Sequence, residues 1–323
     1  MFYKYSNIFT FGKKKLNNSK ITSSERRYKA VKEFEELEAL ERATAQVSPS
    51  FDAVEKERPA RRRSVLRTAW RIVWITALGL VLLSLLMLVV YKWVNPPLTP
   101  LMVQRWFQQL KDRDREVNFE RDYVRIEDIS PNLVTAVVAS EDGRFMRHRG
   151  FDVGQLKQTY RENRQGHRVR GGSTISMQTA KNAFLPHRRS YLRKAAEAGY
   201  TMAIERLWGK ERIMEVYLNI IEFGDGIYGC EAAAQHYFGH SARTLTRHEA
   251  AQLAVTLPSP LKRNPDKATP YFRKQTGVVE ARMAKYGRVD LKNKPKKRSA
   301  EDDETLWDFL CWVREQKRKE ASK

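Results

Sequence analysis

Residues 130–142 read SPNLVTAVVASED. Ser130 is a residue type suited to a helix N-cap, and Pro131 suits the first helical position, where a missing N–H costs nothing. The apolar run LVTAVVA (133–139) then forms the interior of a helix, and the chain leaves it on an acidic pair, Glu141 and Asp142. A carboxylate at the C-terminal end of a helix faces the negative pole of the peptide dipoles, which tends to raise its pKa. Arg144, Arg147 and His148, in the following GRFMRHRGFD (143–152), pull the other way. A carboxylate in such a place is costly unless something pairs with it or uses it. Opposed influences of this kind are how a general base is tuned. Glu141 is therefore a candidate base, against the simpler reading of a surface Glu paired with Arg.

The same helical period recurs downstream. KERIMEVYLNII (210–221) places apolar residues at 213, 216, 217 and 220, the core face of a helix. TRHEAAQLAVTLP (246–258) opens with Thr246 and Glu249 in capping-box spacing and stops before Pro258. SYLRKAAEAGYTMAIERLWG (190–209) predicts a long helix ending at Gly209. No alternating series marks a strand, so the expected fold is mainly α, with a globular domain over 120–285.

Charge and hydropathy constrain the surroundings. The 323 residues carry a formal net charge of +22, which implies an anionic partner: nucleic acid, an anionic membrane or a phosphate-bearing substrate. Residues 72–91, IVWITALGLVLLSLLMLVVY, contain no charge over twenty positions, enough for a helix to span a bilayer. Trp70, Trp74, Tyr91 and Trp93 sit near its ends as interfacial anchors do. RRR (61–63), Arg67 and Arg71 precede it, so the positive-inside rule puts residues 1–71 in the cytoplasm and the rest outside. The long, basic leader argues against a cleaved signal peptide. Nucleic acid is excluded as a partner by the same topology. Residues 92–119 read as a stalk, starting from the stiff NPPLTP (95–100); 286–323 read as a charged linker followed by an amphipathic helix, TLWDFLCWVREQK (305–317), that docks on the domain or touches lipid. Cys230 and Cys311 are the only cysteines, and without a CxxC or a His/Cys cluster they indicate no structural zinc.

Two further stretches carry chemistry. In GGSTISMQTAKN (171–182) the glycines allow close backbone approach, Ser173 and Thr174 offer hydroxyls and a cap, and a helix beginning there would present free N–H groups to an anion. Gln178 and Lys181 follow on that helix. The spacing is not that of a P-loop. In RRSYLRKAAEAG (188–199), Arg189, Arg193 and Glu197 are four apart and form a stripe on one continuous helix. A surface ion pair explains Arg193 and Glu197 cheaply; a diphosphate held by the cations, directly or through a divalent ion on Glu197, is the functional alternative.

Taken in order, EDGRFMRHRGFD (141–152), GGSTISMQTAKN (171–182), RKAAE (193–197), KERIMEVYLN (210–219) and LAVTLPSP (253–260) resemble the five motifs of the peptidoglycan glycosyltransferases, family 51. IEFGDGIYGCEAAAQHYFG (221–239) resembles the monofunctional biosynthetic branch. K-T-G is missing, and too few residues remain to house a transpeptidase domain.

The resemblance implies a lysozyme-like, mainly helical domain with a small membrane-facing jaw, held by one N-terminal transmembrane helix in the bacterial cytoplasmic membrane with its catalytic domain outside. It implies polymerisation of lipid II into glycan strands, with inversion at the anomeric carbon and release of undecaprenyl diphosphate. Glu141 is then the base that deprotonates the acceptor hydroxyl, and Glu197 the second catalytic glutamate, tied to diphosphate and to a divalent cation, Mg or Mn. Lys181, Arg189 and Arg193 are implied as cationic contacts, and Ser173, Thr174 and Gln178 as polar ones. Phe145 belongs to the first motif, where packing and positioning suit it. Glu215 and Asn219 support the cleft. Partners are lipid II, the lipid-linked nascent glycan, the membrane, and proteins of wall synthesis or division; no organic cofactor is implied. Two positions depart from the family pattern. Met177 stands where Gln is usual, which puts donor contacts there in doubt, and Ala196 stands where some members have Lys.

A lytic hydrolase of similar shape would need no diphosphate cradle. A non-catalytic assembly partner would keep the fold without turnover. The flanking charges make a direct prediction for topology: a reporter fused at residue 60 is active only as a cytoplasmic reporter, and one fused after residue 323 only outside. A C-terminal reporter active in the cytoplasm would overturn the orientation.

Overall fold

The computed structural model describes residues 23–47, 58–112, 117–165, 172–187, 190–292 and 304–321. The chain divides into two compact units, the first ending at Gly79 and the second starting at Leu80. In the first, α1 (Ser23–Val47) is solvent-exposed, as its mixed charge dictates. The helix α2 (Arg58–Val90) starts there, and its stretch Arg67–Val90 is long and apolar enough to cross a membrane.

The second unit holds the end of α2 and all that follows. Thr99 caps α3 (Pro100–Lys111), accepting from the Met102 N–H, and Pro100 occupies the first turn. The stretch predicted as a stalk is thus partly helical, because α3 buries Leu101, Met102 and Gln109. After β1 (Glu120–Arg121) come α4 (Pro131–Glu141), α5 (Val153–Arg164), α6 (Ile175–Phe184), α7 (Tyr191–Leu207) and α8 (Gly209–Ile220). Then follow β2 (Glu222–Gly224), β3 (Ile227–Tyr228), α9 (Cys230–Phe238), α10 (Arg247–Thr256), α11 (Pro270–Tyr286) and α12 (Leu306–Ala321).

Local chemistry sets these boundaries. Ser130 caps α4 through the Asn132 N–H, and Thr246 with Glu249 forms the reciprocal capping box of α10. The helix predicted to run to Gly209 stops at Leu207, and Gly209, at φ 79°, turns the chain directly into α8. Strands were not expected, yet β1, β3 and β2 form a three-stranded sheet in that order, β1 parallel and β2 antiparallel to β3. The turn between β2 and β3 requires glycine: at Gly226 (φ 76°) a Cβ would lie 2.0 Å from the Asn118 carbonyl oxygen.

The core is built around α4, whose Leu133, Ala136, Val137 and Val138 are fully buried against α10 and α11, while α6 packs on α7 and α8. Polar clamps fasten the chain between β1 and α4 to α8. Asn219 accepts from the Val124 N–H at 3.0 Å and donates to the Val124 carbonyl at 2.9 Å. Glu215 accepts from the Tyr123 hydroxyl at 2.6 Å and the Ile126 N–H at 2.8 Å. Leu88 and Tyr91, at the end of α2, are part of the core. The Trp208 indole donates to the Leu88 carbonyl at 2.8 Å, and the Arg212 guanidinium donates to the carbonyls of Tyr91 and Val94. Cys230 is buried and Cys311 exposed, both as free thiols.

Asn219→Ala, at a fully buried side chain, strips both half-buried Val124 backbone groups of their partner. The expected loss is on the order of 2–3 kcal/mol of stability, read as a lowered denaturation midpoint of the detergent-solubilised protein.

Candidate active site

The two acids that end α4 do different work. Asp142 is buried, and its carboxylate accepts from His148 Nε2 at 2.9 Å and from the Ile175 N–H, at the start of α6, at 3.0 Å. The Gly150 N–H donates to His148 Nδ1 at 3.0 Å, so the ring proton sits on Nε2, facing Asp142. Thr174 completes the joint: its hydroxyl donates to the Gly150 carbonyl at 2.6 Å and accepts from the Met177 N–H as the cap of α6. Asp142 and Thr174 thus fix the first turn of α6 to the loop after α4.

With α6 so placed, Gln178 reaches Glu141. Its amide Nε2 donates to Glu141 Oε2 at 3.0 Å, while its Oε1 accepts from the Tyr217 hydroxyl at 3.2 Å. Tyr217 is fully buried on α8, and burial first, then Glu141 and Asp142, push its hydroxyl well above the usual range, so it remains a donor. Burial raises the Glu141 pKa; the Gln178 hydrogen bond opposes this, Asp142 adds to it, and Lys181 and Arg263 oppose it. The cations that act on Glu141 are therefore Lys181 and Arg263. Arg144 instead pairs with Asp152 at 3.3 Å and His148 with Asp142, because the loop folds back under α4.

Lys181 stands on α6 one turn beyond Gln178. Burial lowers its pKa first; Glu197 and Glu141 both pull it up, and Arg193 and Lys194 push it down, so it senses both candidate carboxylates. Glu197 is buried on α7, with Arg193 on Oε2 at 2.8 Å and Lys194 on Oε1 at 2.5 Å. Beside them, burial and then Lys181, Arg105 and Arg193 hold the His187 pKa down at about 4, so that the ring is neutral at neutral pH. Buried Asn182 Oδ1, His187 Nδ1 and Arg193 Nε lack a hydrogen-bond partner among the described residues. This is polar capacity left over for a ligand.

Not every candidate faces this cluster. Arg189 lies outside the described residues, and since Ser190 caps α7, the stripe predicted on one continuous helix reduces to Arg193 and Glu197. Ser173 is exposed before the cap. Phe145 is fully buried, edge-on to His148 with the Lys210 ammonium 4.5 Å over its ring; it packs and cannot touch a substrate. Thr174, likewise, spends its hydroxyl on backbone groups. Met177 is buried in a small apolar cluster with Phe151 and Val153, so its departure from the family pattern concerns packing. As to a metal, both Glu197 oxygens already meet cations, and no group of three His, Cys, Asp or Glu gathers among the described residues. That donor set does not fit a resident Mg or Mn ion. Sequence reading missed Tyr217, Asp142 and Arg263; a hydroxyl within the apolar face of 210–221 was the available signal for the first.

A partly buried glutamate positioned by an amide and separated from a second, cation-clamped glutamate by a lysine suits transfer of a group away from an anionic leaving group. Comparison with known proteins agrees. Residues 108–284 match the family described as Transglycosylase, more than half of the chain. The biosynthetic peptidoglycan transglycosylase of Rhodospirillum centenum is 49% identical over 206 residues, 64% of this chain and 87% of that one. That of Caulobacter vibrioides is 48% identical over 205 residues, 63% and 86% of the two chains, and that of a Marinomonas species 44% over 220 residues, 68% and 93%. The protein is a glycosyltransferase that acts on peptidoglycan. The chain belongs to the transglycosylase family.

Because the folded-state pKa of Glu141 lies above its unfolded value, the folded state holds this proton more tightly. Its contribution to stability is present below the ordinary glutamate pKa and is lost as pH rises through the raised one. Glu141→Gln removes that loss. The variant should therefore gain on wild type in Tm as pH is raised across this window, with the two closest in acid; a gap independent of pH would contradict the assignment.

Proposed function

We propose that the chain polymerises lipid II, with Glu141 as general base. The observation that carries this is the pairing of a raised Glu141 pKa with a fixed carboxylate, held by the Tyr217–Gln178 hydrogen-bond chain. In this reading Glu141 takes the proton of the acceptor 4-hydroxyl as that oxygen forms a bond to the anomeric carbon of the donor. The bond from that carbon to the diphosphate breaks on the opposite face, giving inversion, and its electron pair leaves on undecaprenyl diphosphate. Lys181 and Arg193, with Arg189, receive the developing charge, and neutral His187 can donate or accept without adding to it. Glu197 orients Arg193 and Lys194 in this scheme.

An apolar groove of about 790 Å3 supports a lipid-linked donor. It is lined by Leu83 and Met87 of α2, Val103 and Phe107 of α3, and Phe184 at the end of the helix that carries Lys181. A polyprenyl chain is the apolar ligand that would accompany a diphosphate there. The exposed apolar face of α2 supports a membrane anchor with the catalytic unit outside the cytoplasm, the orientation that the flanking arginines favour. The reading carries no transpeptidase activity: Ser259 and Lys262 have S-x-x-K spacing, but no K-T-G accompanies them.

Glu141→Gln should keep the hydrogen bond to Gln178 and lower lipid II polymerisation by a factor of roughly 10² to 10⁴, while KM holds. The wild-type rate should rise with pH through a limb above the usual carboxylate range, set by Glu141, and fall through a limb below the usual lysine range, set by Lys181. A folded Glu141→Gln enzyme with near-normal turnover would sink the assignment.

A further inference from the structure

The family match ends at residue 284, yet α12, which begins at Leu306, packs behind the site. Lys157 of α5 donates to both Glu304 oxygens at 2.7 and 2.9 Å. The Trp312 indole meets the Tyr160 ring edge-on at 5.5 Å, with the Arg161 guanidinium 5.2 Å over its face and Phe309 stacked at 6.2 Å. Leu306 and Phe309 then pack on the cluster of Phe151, Val153 and Met177, joined by Leu156 and Ala198.

This cluster is separate from the main core and has three buried members among the described residues. Each lies next to a residue of the site or its framework. Met177 precedes Gln178, and Ala198 follows Glu197. Phe151 and Val153 flank Asp152, which pairs with Arg144 and caps α5. Two elements that carry the site, α6 and α7, thus meet α5 at one small apolar joint, and the exposed side of that joint is closed by α12. A joint with so few buried contacts opens easily unless something covers it.

We infer that residues 304–313 are a positioning segment, which holds α6 and α7 at the spacing where Gln178 meets Glu141 and Lys181 lies between the two glutamates. The inference rests on the proposed function and adds to it a part of the chain beyond the family match. It also accounts for Met177. A Gln at that position would bury an amide against Leu306 and Phe309, whereas a thioether fills the joint.

The test is Phe309→Ala in the full-length protein, in detergent or nanodiscs, with Phe309→Leu as the conservative variant and Arg318→Ala on the exposed side of α12 as control. A displacement of about 1 Å at a reacting group can cost up to a hundred-fold in rate. Phe309→Ala should accordingly lower kcat at least about ten-fold with KM nearly unchanged; Phe309→Leu should restore most of it, and Arg318→Ala should match wild type. Amide hydrogen exchange, read without substrate, should speed up in 151–156 and 174–182 of Phe309→Ala but not in α10. Unchanged exchange in those segments, or a uniform rise that includes α10, would overturn the inference. Because exchange needs no turnover, this failure is distinct from failure of the lipid II reading, which Glu141→Gln decides.

Discussion

One buried carboxylate fixes where the helix that reaches Glu141 begins. Asp142 joins the loop after α4 to the first turn of α6, accepting from an imidazole on one side and a backbone N–H on the other. Burial of this carboxylate is tolerable because both kinds of donor satisfy it, and removal of either would leave a buried acceptor short of a partner. Everything that approaches Glu141 from α6 does so because this joint fixes where α6 begins. The dipole of α6 reinforces the arrangement, since its positive end is the natural place for a negative charge.

Adjacent acids of the same charge therefore have opposite fates. Asp142 faces inward and is consumed by donors. Glu141, one residue earlier at the last helical position, has a single side-chain amide for a partner and two more distant cations. Its proton affinity is raised by what it lacks. The buried Tyr217 hydroxyl matters here because it occupies the carbonyl of Gln178 and so fixes which end of the amide points at the carboxylate. Glu197 shows the contrary design, a carboxylate whose oxygens are both taken by cations of its own helix, suited to orienting positive charge and not to moving protons.

Much of this was legible in the sequence, because helices announce themselves by periodic apolar residues and caps. Ser130, Thr174 and Thr246 each cap where their residue type suggested, and Glu141 lies at the helix end from which its altered proton affinity was argued. The sheet was not legible: strands of two or three residues, half-buried throughout in β1 and buried throughout in β2 and β3, leave no alternation to read. Nor was the division of labour within the acidic pair. The arginines that follow Glu141 in sequence looked like its partners, whereas Lys181 and Arg263, 40 and 122 positions away, act on it in space. Phe145 and Thr174 sit in motifs that carry chemistry, yet their contacts are with the protein itself; a motif marks a place in the fold, and the direction in which a side chain points is decided by packing.

The end of α2 has a consequence for how the enzyme can be handled. Leu88 and Tyr91 are core residues, and three carbonyls of that turn and the residues just after it are capped by Trp208 and Arg212. The terminal turns of α2 are therefore a foundation on which the domain is built. A soluble fragment trimmed back to residue 92 would open a greasy socket where those side chains sat, leave the Trp208 indole N–H without its acceptor and cost Arg212 the Tyr91 carbonyl.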